Sequence, residues 1–463
     1  MRDKLWLYNQ HYFDDLNAAD ASARQDWHRA LIADWIAHNS PGHGCGWEPY
    51  PTSLRIVNWV KWALAGNILS VDACHSLAIQ ARWLMRRLEW HLLGNHLFVN
   101  AKALIFAGLF FDGPEARRWC DKGFAILRRE VPEQILPDGG QFELSPMYHA
   151  LALEDMLDLI NLTRRFDVAL SPRQHGVVSI GTERIGPMID WLHAMCHPDG
   201  EIALFNDAAM GIAPAPAEIF AYAERLGLAG TGRQALWLEN SGYVRLEKGG
   251  AVVLADLARV GPDYLPGHAH ADSLSFEMSL HGQRIFVNSG TSVYGTGPER
   301  LRQRGTSAHN TVLVAGQNSS EVWGGFRVAR RARVFDVHVT PEGTALLAAG
   351  AHDGYCRLPG KPIHRRKWRL GHTSLEINDC LAPVGQSAEA RFHLHPEVQI
   401  SAEGTNHGKL ILASGDVLSW SAEGGVAWIE TTTWHPQFGV SLPNCCLVLP
   451  LKAGQARLRL TWE

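Results

Sequence analysis

The sequence predicts two parts of different class: an all-helical N-terminal half in which stacked helical hairpins curve into a toroid, then a large antiparallel β-sandwich. Three observations carry this expectation. Apolar residues recur at helical spacing from about Ala18 to Leu228. Near Trp237 the period drops to two, and short alternating runs follow one another between Gly-rich turns. With 463 residues, 46% of them hydrophobic and 19% charged, the chain is long and apolar enough for two cored domains. The boundary falls between Leu228 and Trp237, giving residues 1–232 and 233–463.

In the first part, Asp20–Asn39 sets Trp27, Leu31, Trp35 and Ile36 on one helical face. Ser53–Ala65 does the same with Ile56, Trp59, Val60 and Ala63, and Val71–Leu93 is a long amphipathic run that Gly94 would stop. Leu97–Phe110, Pro114–Glu130, Leu144–Phe166 and Thr182–Cys196 continue the series. Helix pairs recurring about every 40 to 50 residues suggest stacked hairpins, whose curvature leaves a concave groove. In the second part SGYVRLEKGGAVVLADLARV, SLSFEMSLHGQRIFVNSG, HNTVLVAG, ARVFDVHVTPEGTALLAAG, KWRLGHTSLEINDCL, GKLILASGDVLSWSAEG and QARLRLTWE read as strands and turns.

Composition narrows the function. A net charge of -4 gives no general attraction to nucleic acid, so an acidic ligand needs a local basic patch. No run is long enough for membrane insertion. The first sixteen residues, MRDKLWLYNQHYFDDL, lack the apolar core of an export signal. Eight cysteines without a CxxC read as ordinary thiols. The 17 Trp and 23 His are roughly double the usual share, and Trp can stack on sugar rings as well as fill cores.

The most informative stretch is Gly267–Asn310. His268, His270 and Asp272 alternate, so on a strand they would share one face, and Ser275–Leu280 continues as a half-buried strand. Arg284–Asn288 would be the next strand, followed by an exposed-looking arginine cluster and His309. In the helical part, Asn95 is either a helix N-cap or a carboxylate-binding amide, and His96 shares the ambiguity. Ser145–Pro146 reads as an N-cap with Pro at the first helical position, which puts Tyr148 and His149 near the positive helix end. Asn, Tyr and His together suit β-elimination from a uronic acid. The C5 proton becomes acidic only when the adjacent carboxylate is neutralised, and Tyr and His can serve as base and acid.

HAHADSLSF, FVNSGTSVYG and SAHNTV, with GNHLFVNAKAL and SPMYHALALEDM upstream, resemble the heparinase II/III family of polysaccharide lyases across essentially the whole chain. The resemblance implies an incomplete (α/α) toroid with a β-sandwich, an active site drawn from both, and an acidic polysaccharide or oligosaccharide as substrate. Carried over by position, Asn95 would neutralise the carboxylate with His96, Tyr148 would be the acid or both acid and base, His268 the second catalytic residue, and Tyr294 a substrate contact. No cofactor is required for the chemistry. A structural zinc is implied at His270, Asn288 and His309, although an amide at Asn288 is a weak zinc ligand. The resemblance implies a periplasmic location, and the lack of an export signal in the first residues leaves the cytoplasm as the alternative. Arg55, with Trp59 and Trp62, could form a sugar platform, and His149 and Arg304 could contact substrate. Two alternatives stand beside the lyase: a glycan-binding or assembly protein of surface polysaccharide synthesis, and a glycoside hydrolase using carboxylates from Asp138, Glu143, Asp199 and Asp207.

Overall fold

The computed structural model describes residues 4–232 and 236–463; the junction placed at 232/233 by the sequence borders residues outside the described ones. Helices come first: α1 (Lys4–Asn9), α2 (Gln25–His38), α3 (Pro49–Leu64), α4 (Val71–Met85), α5 (Gly94–Phe110), α6 (Pro114–Gln134), α7 (Pro146–Arg165), α8 (Pro172–Ala194) and α9 (Pro216–Arg225). The first described strand is β1 (Trp237–Leu238), where the period change places it. The two-class architecture is the one the sequence predicts.

The chain forms two compact units, Met1–Gln134 with Glu154–Arg184, and Ile135–Leu153 with Ile185–Glu463. In the first unit α5 and α6 lie close because small residues face them: a Cβ on Gly108 would sit 2.6 Å from the Cys120 nitrogen, and one on Gly123 would sit 2.6 Å from the Ala101 oxygen. Trp59, Trp62 and Arg55 are buried there, so the proposed sugar platform is core. The Arg55 guanidinium is 3.9 Å from the Trp35 ring and donates to Gln80 Oε1 at 2.9 Å. The apolar run after Val71 does not stay helical to Leu93. Its helix ends at Met85, and Gly94 starts the next helix, because Leu93 and Gly94 both adopt positive φ (58° and 50°). Asn95 therefore lies inside the first turn of α5, and it is not the cap.

In the second unit, β1, β2 (Tyr243–Lys248), β3 (Ala251–Asp256), β4 (Phe276–Leu280) and β5 (Gln283–Phe286) form an antiparallel meander. An eight-stranded sheet runs β14 (Gln399–Gly404), β15 (His407–Ile411), β16 (Val417–Glu423), β19 (Gln455–Thr461), β12 (Ser374–Ala382), β11 (Ile363–Leu370), β10 (Ala345–His352), β9 (Val334–Glu342). A third sheet orders β17 (Trp428–Trp434), β18 (Leu442–Pro450), β13 (Ala388–His393) and β6 (Val312–Val314); a small hairpin pairs β7 (Val322–Trp323) with β8 (Arg327–Val328). Phe276 and Phe286, Trp368 and Leu458, and Phe392 and Leu447 meet in one core shared by the three larger sheets.

The alternation in Ser275–Leu280 does not produce a half-buried strand, since all five residues of β4 are buried. Its polar face is satisfied internally: Glu277 accepts from His197 Nε2 at 2.7 Å, the Leu204 nitrogen at 2.9 Å and the Asn288 nitrogen at 3.1 Å. The preceding residues, His268 to Ser275, form a loop and not a strand. A turn closed by the Ser275 nitrogen on the Asp272 oxygen (2.8 Å), with Leu274 at φ 61°, breaks the extended conformation. The second strand of this stretch ends at Phe286, two residues before Asn288.

Candidate active site

The second unit builds a polar site from three segments. One is the approach to α7. Gly139, at φ 93°, makes the tight turn there, and a Cβ would lie 2.1 Å from the Pro187 oxygen. Ser145 caps the helix as its sequence predicts: its Oγ accepts from the Tyr148 nitrogen at 3.3 Å and donates to the Asp207 carbonyl at 2.6 Å. Tyr148 thereby stands in the first turn of α7.

The second and third segments lie side by side. The Asp207 nitrogen donates to the His268 carbonyl at 3.0 Å, and the His270 nitrogen donates to Asn206 Oδ1 at 3.1 Å. So His268 and His270 do point together, but towards one carboxylate. Asp207 Oδ2 accepts from His268 Nδ1 at 2.8 Å, and Oδ1 accepts from His270 Nε2 at 2.8 Å. Arg300, in the short helix α10 (Pro298–Arg304), grips both oxygens of the same carboxylate, Nη2 donating to Oδ2 at 2.6 Å. Burial opposes ionisation of Asp207, yet Arg300 and the two imidazoles hold its carboxyl well below the usual range. Asp207 is thus a buried anion at the centre of the site. Sequence spacing offered it only as a hydrolase carboxylate.

This arrangement fixes a tautomer. With Nδ1–H given to Asp207, neutral His268 keeps its Nε2 lone pair, and Glu143 Oε2 lies 3.5 Å from that nitrogen. The Tyr148 ring lies against the imidazole at a centroid distance of 4.1 Å. Its hydroxyl is 2.9 Å from the hydroxyl of Tyr294. Enclosure, then Asp207, pushes the Tyr294 phenol well above its ordinary range, so it stays protonated and can donate to a Tyr148 phenolate. Arg300 lies 4.9 Å from the Tyr294 ring. Tyr148, His268 and Tyr294 are therefore brought together as a single constellation.

Other predicted residues have different settings. His149 is fully buried, with Nδ1 accepting from the Gln141 nitrogen at 3.2 Å and Nε2 donating to the Met188 carbonyl at 2.9 Å; burial lowers its pKa to about 3. It braces the wall behind Tyr148. Arg304, also buried, gives its guanidinium to the Ala269, Gly324 and Gly325 carbonyls, and Arg302 pairs with Glu299. The arginine cluster that looks exposed in sequence is for these three largely structural. Among the hydrolase candidates, Asp138 accepts from Ser241 and Asp199 from Arg284. In the first unit, Asn95 and His96 are half-buried, and His96 Nδ1 is oriented by the buried Glu89 carboxylate at 3.1 Å.

Next to His268 lies a group suited to a metal ion. His270, Asp272 and His309 are buried, and one ligand atom of each falls within 4.8 Å of the others. His270 Nδ1, Asp272 Oδ2 and His309 Nε2 have no hydrogen-bond partner. His270 gives its other nitrogen to Asp207, and His309 Nδ1 is 3.3 Å from Asn288 Oδ1, so each ring can turn a lone pair to the same place. Burial keeps both rings neutral, lowering His270 to about 4 and holding His309 well below its ordinary range. Two neutral imidazoles and a carboxylate fit zinc. Asp272, and not Asn288 as the resemblance implies, supplies the third ligand in this set, whereas Asn288 orients His309.

Two family descriptions match the chain, "Heparinase II/III N-terminus" over residues 59–220 and "Heparinase II/III-like, C-terminal" over residues 230–461. The class is that of the heparinase II/III fold, and the chain belongs to the heparinase II/III family. Heparin-sulfate lyase of Bacteroides stercoris is 27% identical over 247 residues, covering 49% of this chain and 36% of that protein. The chain thus spans little more than a third of that lyase's length in the match. FtsZ-localized protein C of Caulobacter vibrioides is 25% identical over 439 residues, covering 88% of this chain and 72% of that protein. The crystal structure of a mutant heparan sulfate lyase HepC from Pedobacter heparinus superposes with a TM-score of 0.69 at 18% identity, over 100% of this chain and 77% of that one. That likeness is one of fold.

Proposed function

We propose that the chain cleaves a uronic-acid-containing glycan by β-elimination at Tyr148, His268 and Tyr294. The observation that carries the reading is the paired Tyr148 and Tyr294 hydroxyls, 2.9 Å apart, beside an imidazole whose tautomer a buried carboxylate fixes. In the reaction the C5–H bond breaks and its electrons form the C4–C5 double bond. The C4–O4 bond breaks, and a proton goes to the leaving oxygen. His268 Nε2 has the lone pair to take the C5 proton, while Tyr148 delivers a proton to O4. Where proton and leaving group share one face of the sugar, Tyr148 does both, its phenolate held by the Tyr294 hydroxyl. Asn95 and His96 keep the role that the resemblance implies, binding the uronate carboxylate. A zinc at His270, Asp272 and His309 would supply local positive charge and rigidity.

The test is incubation of the full chain with a panel of uronate glycans, read by ultraviolet absorbance of the unsaturated product, with Tyr148→Phe as control. Saturated, water-labelled products would overturn the elimination. A second reading has its own support, the similarity along 88% of the chain to FtsZ-localized protein C. On that reading the fold serves binding or assembly at a surface polysaccharide. Glycan binding without turnover, indifferent to Tyr148→Phe, would favour it.

A further inference from the structure

The β7–β8 hairpin reaches over the site, and its attachment has a distinctive form. Arg300, which grips Asp207, also donates through Nε to the Gly325 carbonyl at 3.1 Å. Arg304 donates to the Gly325 carbonyl at 3.1 Å and to the Gly324 carbonyl at 3.3 Å. Gly325 admits no side chain, because a Cβ would stand 2.3 Å from the Gly295 oxygen. The hairpin tip is therefore bonded on one side to the guanidinium that positions Asp207 and lies on the other against the loop that carries Tyr294. The next residue, Phe326, packs edge-on at 6.0 Å from the His268 ring and 5.3 Å from the Tyr294 ring, yet remains 39% exposed. Trp323, on the same hairpin, is 57% exposed. A soluble protein gains little by fixing two open aromatics beside titratable groups unless something apolar-faced covers them.

We propose that the Phe326 ring is a stacking platform for the pyranose ring adjoining the bond that is broken, with Trp323 extending it along the chain. The axial C–H groups of a sugar present an apolar face that aromatic rings bind, and the sugar's charged groups stay free for polar contacts. Phe326 is then a specificity-determining residue that sets register, so that a C5 proton meets His268 and an O4 meets Tyr148. The proposal rests on the glycan reading above.

The experiment measures calorimetric binding of heparan sulfate and alginate oligosaccharides of fixed length to the full chain carrying Tyr148→Phe, with and without Phe326→Ala, Phe326→Trp and Gly325→Ala. Phe326→Ala should weaken binding about tenfold, the scale of one lost aromatic contact. Phe326→Trp should restore it, and Gly325→Ala, which displaces the tip and takes its carbonyl from Arg300 and Arg304, should reproduce the loss and also lower the melting temperature, whereas Phe326→Ala should leave the melting temperature close to its parent's. In the otherwise native chain the loss should fall mainly in KM. Equal binding by Phe326→Ala and its parent overturns the platform. Binding that depends on Phe326 in a chain that releases no unsaturated product overturns the elimination and leaves the platform standing. Binding of neither glycan overturns both.

Discussion

Replacing Asp207 by Asn tests the centre of the site, because the two shapes match and only charge and donor pattern change. Asp207 accepts from His268, His270 and both terminal nitrogens of Arg300, and of these groups Asp207, His270 and Arg300 are closed to solvent. An amide keeps one acceptor and turns the other atom into a donor. Arg300, fully buried, then faces no anion, and leaving one partner of such a pair costs about 3–5 kcal/mol. If the amide nitrogen faces His268, Nδ1 must accept, so the imidazole proton moves to Nε2 and the lone pair aimed at substrate is lost. Turnover should fall about a thousandfold or more, the scale seen when a His–Asp pair elsewhere loses its tautomer. Urea melts and the ultraviolet assay separate the two effects when Arg300→Met is added. The double variant should recover most of the stability, since no buried cation remains, but none of the rate. An Asp207→Asn chain with near-native stability and rate would refute the arrangement of charges argued above.

The other predictions are smaller in scope. Tyr148→Phe and His268→Ala should each abolish formation of unsaturated product while circular dichroism and melting temperature stay close to native; retained turnover in both would sink the assignment. Asn95→Ala should raise KM for carboxylate-bearing glycans and spare a carboxyl-reduced control, and equal effects on the two substrates would remove its role. His149 is held neutral with a pKa of about 3, whereas the unfolded chain protonates near 6.5, so its contribution to stability is full above about pH 6.5 and declines as pH falls towards 3. At pH 5 this costs about 2 kcal/mol, which His149→Gln should remove from the pH 7 to pH 5 difference in unfolding free energy; an unchanged difference would contradict it. Chelation should lower the melting temperature and release a divalent metal, an effect that Asp272→Ala should mimic and Asn288→Ala should only weaken. A chain without metal, whose melting temperature ignores chelator, would remove the ion from the account.

The two-class fold was legible because periodicity is local: a change from helical to alternating spacing needs no knowledge of what packs where. Ser145 and Pro146 were legible for the same reason, since a helix start is written in adjacent residues. His268 and Tyr148 could be named from motif order, but their partner could not. Asp207 sits 61 positions from His268 in sequence, next to Asn206 in a stretch without strand or helix period. Nothing local marks a carboxylate that three distant donors will surround. The same limit explains the errors. The alternating His-Ala-His-Ala-Asp pattern has strand spacing, but a turn at Asp272–Ser275 and a left-handed Leu274 send it elsewhere. Arg300 and Arg304, which look like part of a solvated run, are buried because each finds carbonyls or a carboxylate contributed by remote loops.

The pattern of satisfied and unsatisfied atoms bears on the choice between lyase and binding scaffold. Glu277 and Asp379 show that this unit readily pairs buried charges when it needs only to be stable. Yet His270 Nδ1, Asp272 Oδ2 and His309 Nε2 are left without hydrogen bonds a few ångströms apart, each costing about 1–3 kcal/mol. Apolar replacements would spare a pure scaffold that cost. An ion bound there would repay it and fix His270, and through Asp207 it would fix His268 as well. An imidazole held in one orientation in this way is matched to proton transfer, the chemistry of the proposed elimination.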